Sequence, residues 1–364
     1  MKILQVTTIS DTINAFLIPH IEALIAAGHE VELACRIEEP LDHRLNQLTH
    51  HDISFQRNPL ATDNLQAYFQ LRKLFKRTHY DIIHTHTPNA SVITRLAARN
   101  QHSYVVYTAH GFHFYQGAPR LNWLAYYNVE KLLAHLTDKI ITINDEDYQR
   151  ACQFKLKNSG TVHLIPGIGA DIEVVRQPQK TAAIKARYGL TENDKILVFA
   201  AELCTNKNQK MLIEALARLV AAGHTNYRLF LLGDGPCAAD YRQQIKRLKL
   251  EKNVFLPGFV EDIRPYLELA NLVVSSSLRE GLPVNVMEAF AYGVPVVLTK
   301  IRGHVDLLTE TYQGLLVENR QEMSAGIDQV LQHPETYHPT LTTDFSINSS
   351  VQAVLKIYAE MGVS

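Results

Sequence analysis

The sequence predicts an α/β protein that is built from two doubly wound, Rossmann-like domains. Short apolar runs alternate with helical patterns of about ten residues along the whole chain, which is typical of βαβ units and parallel sheets. The 364 residues exceed what one ordinary core holds, and a polar stretch at 171–193 separates two sets of these units. We therefore expect domains at 1–170 and 171–345, followed by a C-terminal helix within 346–364 that packs back on the first domain.

The strands are predicted from short buried runs. In the first half they lie at 3–7, 30–34, 82–84, 104–108 and 139–143, with helices at 15–27 and 64–77. In the second half the strands lie at 196–200, 228–232, 254–255, 272–275 and 295–298, with helices near 208–222, 238–248, 263–269 and 285–292. Such folds bind ligands at the carboxyl ends of their strands, so we expect a site in a cleft between two facing domains.

Composition excludes several classes of function. A net charge of −1 and a pI near 7.0 do not indicate a nucleic-acid binder. The four cysteines are scattered, so they predict neither a zinc site nor a disulfide framework: Cys35, Cys152, Cys204 and Cys237. The N-terminus reads as a core strand rather than a signal peptide, and no run reaches about 18 apolar residues. These features favour a cytoplasmic protein.

The most informative stretch is R-E-G-L-P-V-N-V-M-E-A-F-A-Y-G-V-P-V-V at 279–297. Pro283 suits the first position of a helix, whose first N–H groups, around Val284 to Val286, have no partner inside the helix. These groups and the helix dipole suit a phosphate or diphosphate. Glu288, one turn further in, suits a ribose diol, and Glu280 in the preceding loop suits a sugar. The alternative is a helix with two solvated or ion-paired glutamates.

This string resembles the retaining glycosyltransferases of family 4, which have the GT-B fold. The segment R-G-H-V-D-L at 302–307 looks like a bacterial exopolysaccharide and capsule subgroup of that family. The resemblance implies a nucleotide-sugar donor in the second domain, with the sugar acceptor in the first. It implies no cofactor, because the nucleotide sugar is a substrate, and no metal.

The resemblance also implies donor-site residues. Lys207 matches a lysine that grips the diphosphate, but Glu202 occupies the position of the family's arginine, and a glutamate does not bind phosphate. Lys207 as an ordinary exposed lysine remains the alternative. The resemblance implies further donor contacts on three loops. Gly233 lies on a glycine turn, and Val260 lies on a loop that would contact the base through its main chain. The other contacts lie just before and at the start of the helix: Gly281, Leu282, Pro283 and Val284.

The first half carries histidines at predicted strand ends. His110 matches a family histidine near the reacting sugar, while His84 and His113 are acceptor candidates. Asp11 is a further candidate in an opening loop at 10–14, where Asn14 would cap the next helix and the family's paired glycines are missing. A metal site formed by the histidines at 84, 86, 110 and 113 lacks an acidic ligand pattern and is the less favoured alternative.

Two segments are candidates for contact with the inner face of the cell membrane. Aromatic and apolar residues interleave with basic residues at 64–77, and a second aromatic patch lies at 120–127. A basic amphipathic helix suits an anionic membrane. The alternative is an ordinary core-facing helix with a basic outer face.

Together these features predict a retaining glycosyltransferase that moves a sugar from a nucleotide donor, expected to be a UDP-sugar. The expected acceptor is a lipid-pyrophosphate-linked saccharide in cell-surface polysaccharide synthesis. Lys207 and the helix N-terminus would stabilise the leaving diphosphate, Glu280 would hold the donor sugar, and His110 would position sugar or acceptor. Two alternatives remain: a UDP-sugar 2-epimerase with the same fold, and a non-catalytic nucleotide-sugar-binding protein.

Overall fold

A computed structural model describes residues 1–362, which divide into two compact units. Unit 1 comprises Met1–Gly169 and the segment that begins at Ser346, and unit 2 comprises Ala170–Phe345. Each unit contains one parallel sheet with helices around it.

The sheet of unit 1 has seven parallel strands in the order β3-β2-β1-β4-β5-β6-β7. Their bounds are β1 Lys2–Ile9, β2 Glu30–Arg36, β3 His50–Asp52, β4 Ile82–Thr85, β5 Tyr104–Ala109, β6 Lys139–Thr142 and β7 Thr161–Leu164. The α-helices are Ser10–Thr12, Ile18–Ala26, Asp63–Arg77, Pro88–Ala98, Arg120–Asn122, Asn128–Leu133, Asp145–Ala151 and Ile347–Ala359. Two π-helical turns, Ile13–Leu17 and Trp123–Tyr127, and three 3₁₀ turns, His43–Leu45, Ala134–Leu136 and Lys157–Ser159, complete the unit.

The sheet of unit 2 has six parallel strands in the order β10-β9-β8-β11-β12-β13. Their bounds are β8 Lys195–Ala200, β9 Tyr227–Leu232, β10 Val254–Gly258, β11 Leu272–Ser275, β12 Val296–Thr299 and β13 Gly314–Val317. The α-helices are Pro178–Tyr188, Gln209–Ala221, Ala238–Arg247, Arg264–Leu269, Val284–Ala291, His304–Leu307 and Arg320–Gln332, with a 3₁₀ turn at Pro334–Thr336.

Both faces of the second sheet are buried. Alternate residues of β8 enter different cores, since Leu197 and Phe199 join one cluster while Ile196 and Val198 join the other. A parallel sheet that is covered on both faces requires near-continuous apolar strands, which is why these runs were visible in the sequence.

Two local predictions are wrong. The segment at 10–14 is not a loop, because helical structure begins at Ser10, directly after β1, and Asn14 lies inside the π-helical turn. The Asn14 amide instead donates to the Pro40 carbonyl and accepts from the Asp42 N–H, both at 2.9 Å. Pro283 is the N-cap of its helix in an extended conformation, one position earlier than predicted.

Candidate functional site

In unit 2, the loops that follow β8, β11 and β12 are held together at the carboxyl edge of the sheet. The buried Ser276 hydroxyl donates to the carbonyl oxygens of Lys207 and Asn208, both at 2.9 Å. The Thr299 hydroxyl donates to the Ser277 carbonyl at 2.6 Å. Adjacent parallel strands therefore bring segments that are far apart in sequence into one site.

Two of the predicted catalytic residues are in direct contact. The Lys207 ammonium lies 2.6 Å from a Glu280 carboxylate oxygen. Backbone and side-chain bonds lock the same two loops together, because the Leu278 N–H donates to the Asn206 carbonyl at 2.8 Å and the Asn206 amide donates to the Arg279 carbonyl at 3.0 Å. Since an ammonium has three N–H donors, this pairing leaves donors of Lys207 for an anion.

The loop around Glu280 is also supported from behind by Arg302 and Gly303, which the sequence offered as a compensating cation and as a point of close backbone approach to a ligand. The buried Arg302 Nε donates to the Glu280 carbonyl at 3.1 Å. Gly303 has φ +80°, and a Cβ there would collide with the Gly281 carbonyl, so this turn requires glycine. Burial lowers the pKa of His304 to about 4, while nearby Glu280 opposes this shift and Lys207 adds to it.

The helix Val284–Ala291 presents fewer free amides than the sequence implied. The Val286 N–H donates to the Pro283 carbonyl at 3.3 Å, so the predicted anion site depends on the amides of Val284 and Asn285. The Asn285 side chain donates to the Ala200 carbonyl at the end of β8, at 3.1 Å, which fixes the start of the helix against the sheet. Gly281 and Leu282, in the loop just before it, are partly exposed.

Glu288 lies one turn inside this helix and is largely buried. Burial, and to a lesser extent the Asp171 carboxylate, raises the pKa of Glu288 to about 7, while the Arg264 guanidinium opposes the shift. The carboxyl group is therefore poised between its protonated and ionised forms near neutral pH. A carboxyl in this state is suited to hydrogen bonding with paired hydroxyls.

The other predicted donor contacts lie on neighbouring loops of the same unit. Gly233 has φ +147°, and its N–H donates to the Gly258 carbonyl at 2.8 Å. A Cβ at Gly233 would meet the Ala201 carbonyl, so glycine lets this turn approach the end of β8. Val260 is half-buried against one core cluster of unit 2, and Glu202 is exposed.

In unit 1, four histidines surround a small cavity at the ends of β1, β4 and β5. They are His84, His86, His110 and His20. The rings of His84 and His86 are 4.1 Å apart, and those of His86 and His110 are stacked at 5.7 Å. His20 was missed, although its spacing from Leu17 and Leu24 in the sequence places it on the inward face of the helix Ile18–Ala26.

Both ring nitrogens of His84 contact hydroxyl groups of the protein, so neither is available to a saccharide acceptor. Its Nδ1 lies 2.6 Å from the Tyr358 hydroxyl, and its Nε2 lies 2.7 Å from the Thr108 hydroxyl. Burial, together with His110 and His20, lowers the pKa of His84 to about 3. The structure therefore gives His84 a place in the interior, which differs from the acceptor contact that we expected.

His110 is different, because its buried Nε2 has no hydrogen-bond partner. Burial, together with His20, lowers the pKa of His110 to about 4, so the ring is neutral at pH 7. A neutral imidazole at a strand end is suited to hydrogen bonding with a hydroxyl group.

The two remaining acceptor candidates lie apart from this cluster. The His113 ring packs 4.9 Å from the Tyr126 ring and lines an apolar pocket. Asp11 is exposed in the first turn of the helical segment after β1. Within residues 1–362, no three histidine, cysteine or acidic side chains are grouped so as to hold a metal ion.

The predicted membrane segments divide between core and surface. On the helix Asp63–Arg77, Leu71 and Phe75 are buried, as the core-facing alternative requires, whereas Leu65 and Phe69 are exposed. In the second segment Trp123, Tyr126 and Tyr127 pack against the core, and Leu121 and Leu124 are exposed. None of the helices described for residues 1–362 is long and apolar enough to cross a membrane.

Solved structures show the fold. The crystal structure of Anabaena Alr3699/HepE in complex with UDP superposes with a TM-score of 0.75 at 20% identity, covering 99% of this chain and 100% of that chain. Sucrose-phosphate synthase from Thermosynechococcus elongatus gives a TM-score of 0.77 at 20% identity, covering 99% of each chain. The prediction of two Rossmann-like domains of the GT-B class is confirmed.

Sequence relatives show the family. Residues 180–340 match the family described as "Glycosyl transferases group 1", and residues 5–144 match "Glycosyl transferase 4-like". EpsD of Bacillus subtilis, named as a glycosyltransferase, is 38% identical over 92% of this chain and 88% of its own length. An Escherichia coli UDP-Gal:alpha-D-GlcNAc-diphosphoundecaprenol alpha-1,3-galactosyltransferase is 26% identical over 79% of this chain and 76% of its own. None of these findings supports an epimerase. This chain is a glycosyltransferase and belongs to family 4, which has the GT-B fold.

Proposed function

We propose that this glycosyltransferase transfers a sugar from a UDP-sugar to a lipid-diphosphate-linked saccharide during exopolysaccharide or capsule assembly. The observation that carries the proposal is the Lys207–Glu280 pair, which precedes a helix with Glu288 one turn inside it. The names of two relatives support the acceptor class, since both refer to undecaprenol-diphosphate-linked saccharides. The solved complexes of HepE with UDP and with UDP-glucose support the donor class.

Each donor group has a residue in unit 2 that suits it. The Lys207 ammonium and the amides of Val284 and Asn285 would hold the diphosphate. Glu280 would bind hydroxyls of the donor sugar, and Glu288 would bind the ribose diol. The loops of Gly233 and Val260 would border the base. Lys207 would divide its three N–H groups between Glu280 and the diphosphate. It would therefore fix the position of the donor sugar, bound by Glu280, relative to the diphosphate.

The chemistry we propose is a same-face substitution that retains the anomeric configuration. The bond between the anomeric carbon and the diphosphate oxygen breaks, and a bond to the acceptor hydroxyl oxygen forms. The hydroxyl proton moves to the leaving diphosphate oxygen, which yields UDP and the glycoside. Because the leaving group itself takes this proton, the site needs fixed positive groups more than a strong base. We propose no metal in this step.

The acceptor would bind in unit 1 near His110. The unpartnered Nε2 of His110 is suited to position an acceptor or sugar hydroxyl, and its low pKa keeps the ring neutral at pH 7. His113 and Asp11 are on the loop after β5 and the first turn after β1, where they would contact other parts of a saccharide.

We also propose that unit 1 contacts the inner face of the cell membrane. The exposed large apolar side chains on the two candidate segments are Leu65, Phe69, Leu121 and Leu124, and Leu132 is a further one shortly after the second segment. On the same helix as Leu65 and Phe69, Lys73, Lys76 and Arg77 are exposed and would meet anionic lipid head groups. Binding to vesicles with anionic lipids, and weaker binding to neutral vesicles, is the expected result.

A screen of donors tests the proposed function. The purified protein is incubated with UDP-, GDP- and dTDP-sugars, and the release of nucleoside diphosphate is measured with and without an undecaprenyl-diphosphate saccharide. We expect release of UDP that the lipid-linked saccharide stimulates. Turnover of only GDP- or dTDP-sugars, or transfer only to an acceptor without lipid, would contradict the proposal.

A further inference from the structure

Unit 1 contains an apolar pocket of which the proposed function uses only one lining residue, His113. Its volume is about 420 Å³, within the range of small-molecule sites. The walls come from the loop after β5, from the helix Pro88–Ala98 and from the segment around Tyr126. They include Val92, Ile93, Phe112, Tyr126 and Val129. Hydrocarbon and aromatic groups therefore form most of the lining.

The carboxylate that lines the pocket, Glu130, forms an ion pair with Arg95, whose Nη1 atom has no hydrogen-bond partner within residues 1–362. The Glu130 carboxylate lies 2.8 Å from an Arg95 guanidinium nitrogen, and both side chains are buried. The Arg95 guanidinium also lies over the Tyr107 ring at 4.4 Å. Since this charge is balanced within the protein, the pocket suits an uncharged, apolar ligand.

The entrance of the pocket is itself apolar and continuous with the proposed membrane surface. Leu60 and Val129 line the pocket and are 90% and 40% exposed. Leu60 precedes the helix that carries exposed Leu65 and Phe69, while Val129 lies between exposed Leu124 and Leu132. An entrance of this kind is suited to accept a hydrocarbon chain directly from a membrane.

The position of the pocket relative to His110 indicates which hydrocarbon chain would occupy it. Gly111, Phe112 and His113 line the pocket and directly follow His110 at the end of β5. A chain that occupies the pocket therefore has one end beside the loop of the proposed acceptor-positioning histidine. This placement favours the tail of the substrate over a bystander membrane lipid.

We propose that this pocket binds the first isoprene units of a polyprenyl chain, the lipid part of the acceptor. The inference rests on the proposed function, since it assumes a lipid-linked acceptor. Holding these units fixes the diphosphate and its saccharide close to His110, so the pocket selects the chain type while the loop selects the sugar.

The binding test uses the fluorescence of Trp123, the single tryptophan of the sequence. Its ring lies 5.6 Å from the Phe114 ring, which is part of the pocket wall. Geranylgeranyl diphosphate below its critical micelle concentration should give a saturable signal, and inorganic diphosphate should give none. Hexadecyl diphosphate, a linear chain with the same head group, should bind at least about tenfold more weakly.

Two matched double variants test the pocket, one that narrows it and one that serves as the control, and both change exposed positions only. The double variant Ala125→Phe/Val129→Phe adds bulk at two exposed positions of the lining, and Leu124→Phe/Leu132→Phe adds it at exposed neighbours outside the pocket. We expect the first variant to bind geranylgeranyl diphosphate at least about tenfold more weakly and the second to bind within about twofold of wild type. Equal binding by all three proteins, or equal affinity for the linear chain, would overturn the proposal.

A second measurement avoids substitutions altogether. A diazirine-bearing geranylgeranyl diphosphate should label peptides that contain residues 111–129 of the wild-type protein, and labelling elsewhere alone would also overturn the proposal. The donor screen, which measures release of nucleoside diphosphate, separates this outcome from a failure of the proposed function. A protein that binds the prenyl probe in the pocket but turns over no nucleotide sugar would refute the proposed function and leave the pocket assignment standing.

Discussion

Replacement of Glu288 by glutamine is expected to stabilise the protein at high pH while weakening donor binding. The pKa of Glu288 rises from an ordinary value of 4.5 to about 7 in the folded protein, so the folded state keeps a proton that the unfolded chain has released. The contribution of this group to stability is therefore greatest below pH 4.5 and is lost as the pH rises through 7. Glutamine removes this loss.

The magnitude follows from the pKa change. A pKa change of one unit corresponds to about 1.4 kcal/mol. The rise of the Glu288 pKa to about 7 therefore gives an upper limit of about 3 kcal/mol for the gain in unfolding free energy at pH 8. Because the side chain is partly exposed, screening by solvent reduces the expected gain to about 1–2 kcal/mol. At pH 4.5 the variant and wild type should differ much less, because Glu288 is then neutral in the folded state and only half ionised in the unfolded chain.

Donor binding should change in the opposite direction. Loss of one or two hydrogen bonds to a charged acceptor raises a dissociation constant by about ten- to a hundredfold, so we expect this change for UDP with Glu288→Ala. Glu288→Gln retains one acceptor oxygen and should lie between Glu288→Ala and wild type.

Two assays test this prediction together. Urea unfolding midpoints are measured at pH 4.5, 6 and 8, and UDP affinity is measured by calorimetry at pH 8. Glu251→Gln, at an exposed position of unit 2, is the control and should change neither quantity. A difference in midpoint that does not depend on pH would refute the burial account, and unchanged UDP affinity would reject the ribose assignment.

Three further predictions concern the transfer reaction. Lys207→Ala should lower kcat by at least about a hundredfold in steady-state assays with little change in Tm, whereas Glu202→Ala, at an exposed position, should have little effect; equal losses would mean that the loop after β8 works differently. Turnover should continue in EDTA, because Lys207 and the helix N-terminus take the role of a cation; activity that disappears with EDTA and returns with Mn²⁺ would contradict this. Proton NMR of the product made from an α-linked UDP-sugar should show a new α-linkage, and a β-linkage would exclude the same-face mechanism.

The sequence predicted the central strands well because they are buried on both faces. It did not predict β3, β7 or β13, which are edge strands of three or four residues with mixed exposure. An edge strand packs on fewer neighbours, so it carries less of the apolar signal on which the prediction depended.

In the candidate site, residues on continuous motifs were predictable, whereas contacts set by the tertiary fold were not. Glu280, Glu288 and Lys207 were found because one continuous string and one loop carry them. The contacts of Arg302 with the Glu280 loop were not predictable, since they depend on which strand ends are neighbours in the sheet. Likewise, nothing in the sequence near His84 shows that Tyr358, 274 positions later, occupies its Nδ1.

That last contact has a consequence for how the chain folds during synthesis. Unit 1 is discontinuous, because Tyr358 on the helix Ile347–Ala359 supplies a hydroxyl that the buried Gln5 amide and His84 both contact. Unit 2 is one uninterrupted segment, so it is free to complete its core on the ribosome before the first-made unit does. A nascent chain that stops at Phe345 leaves polar groups of Gln5 and His84 without their partner in the interior. The part of the protein that is translated first is therefore the part that is finished last.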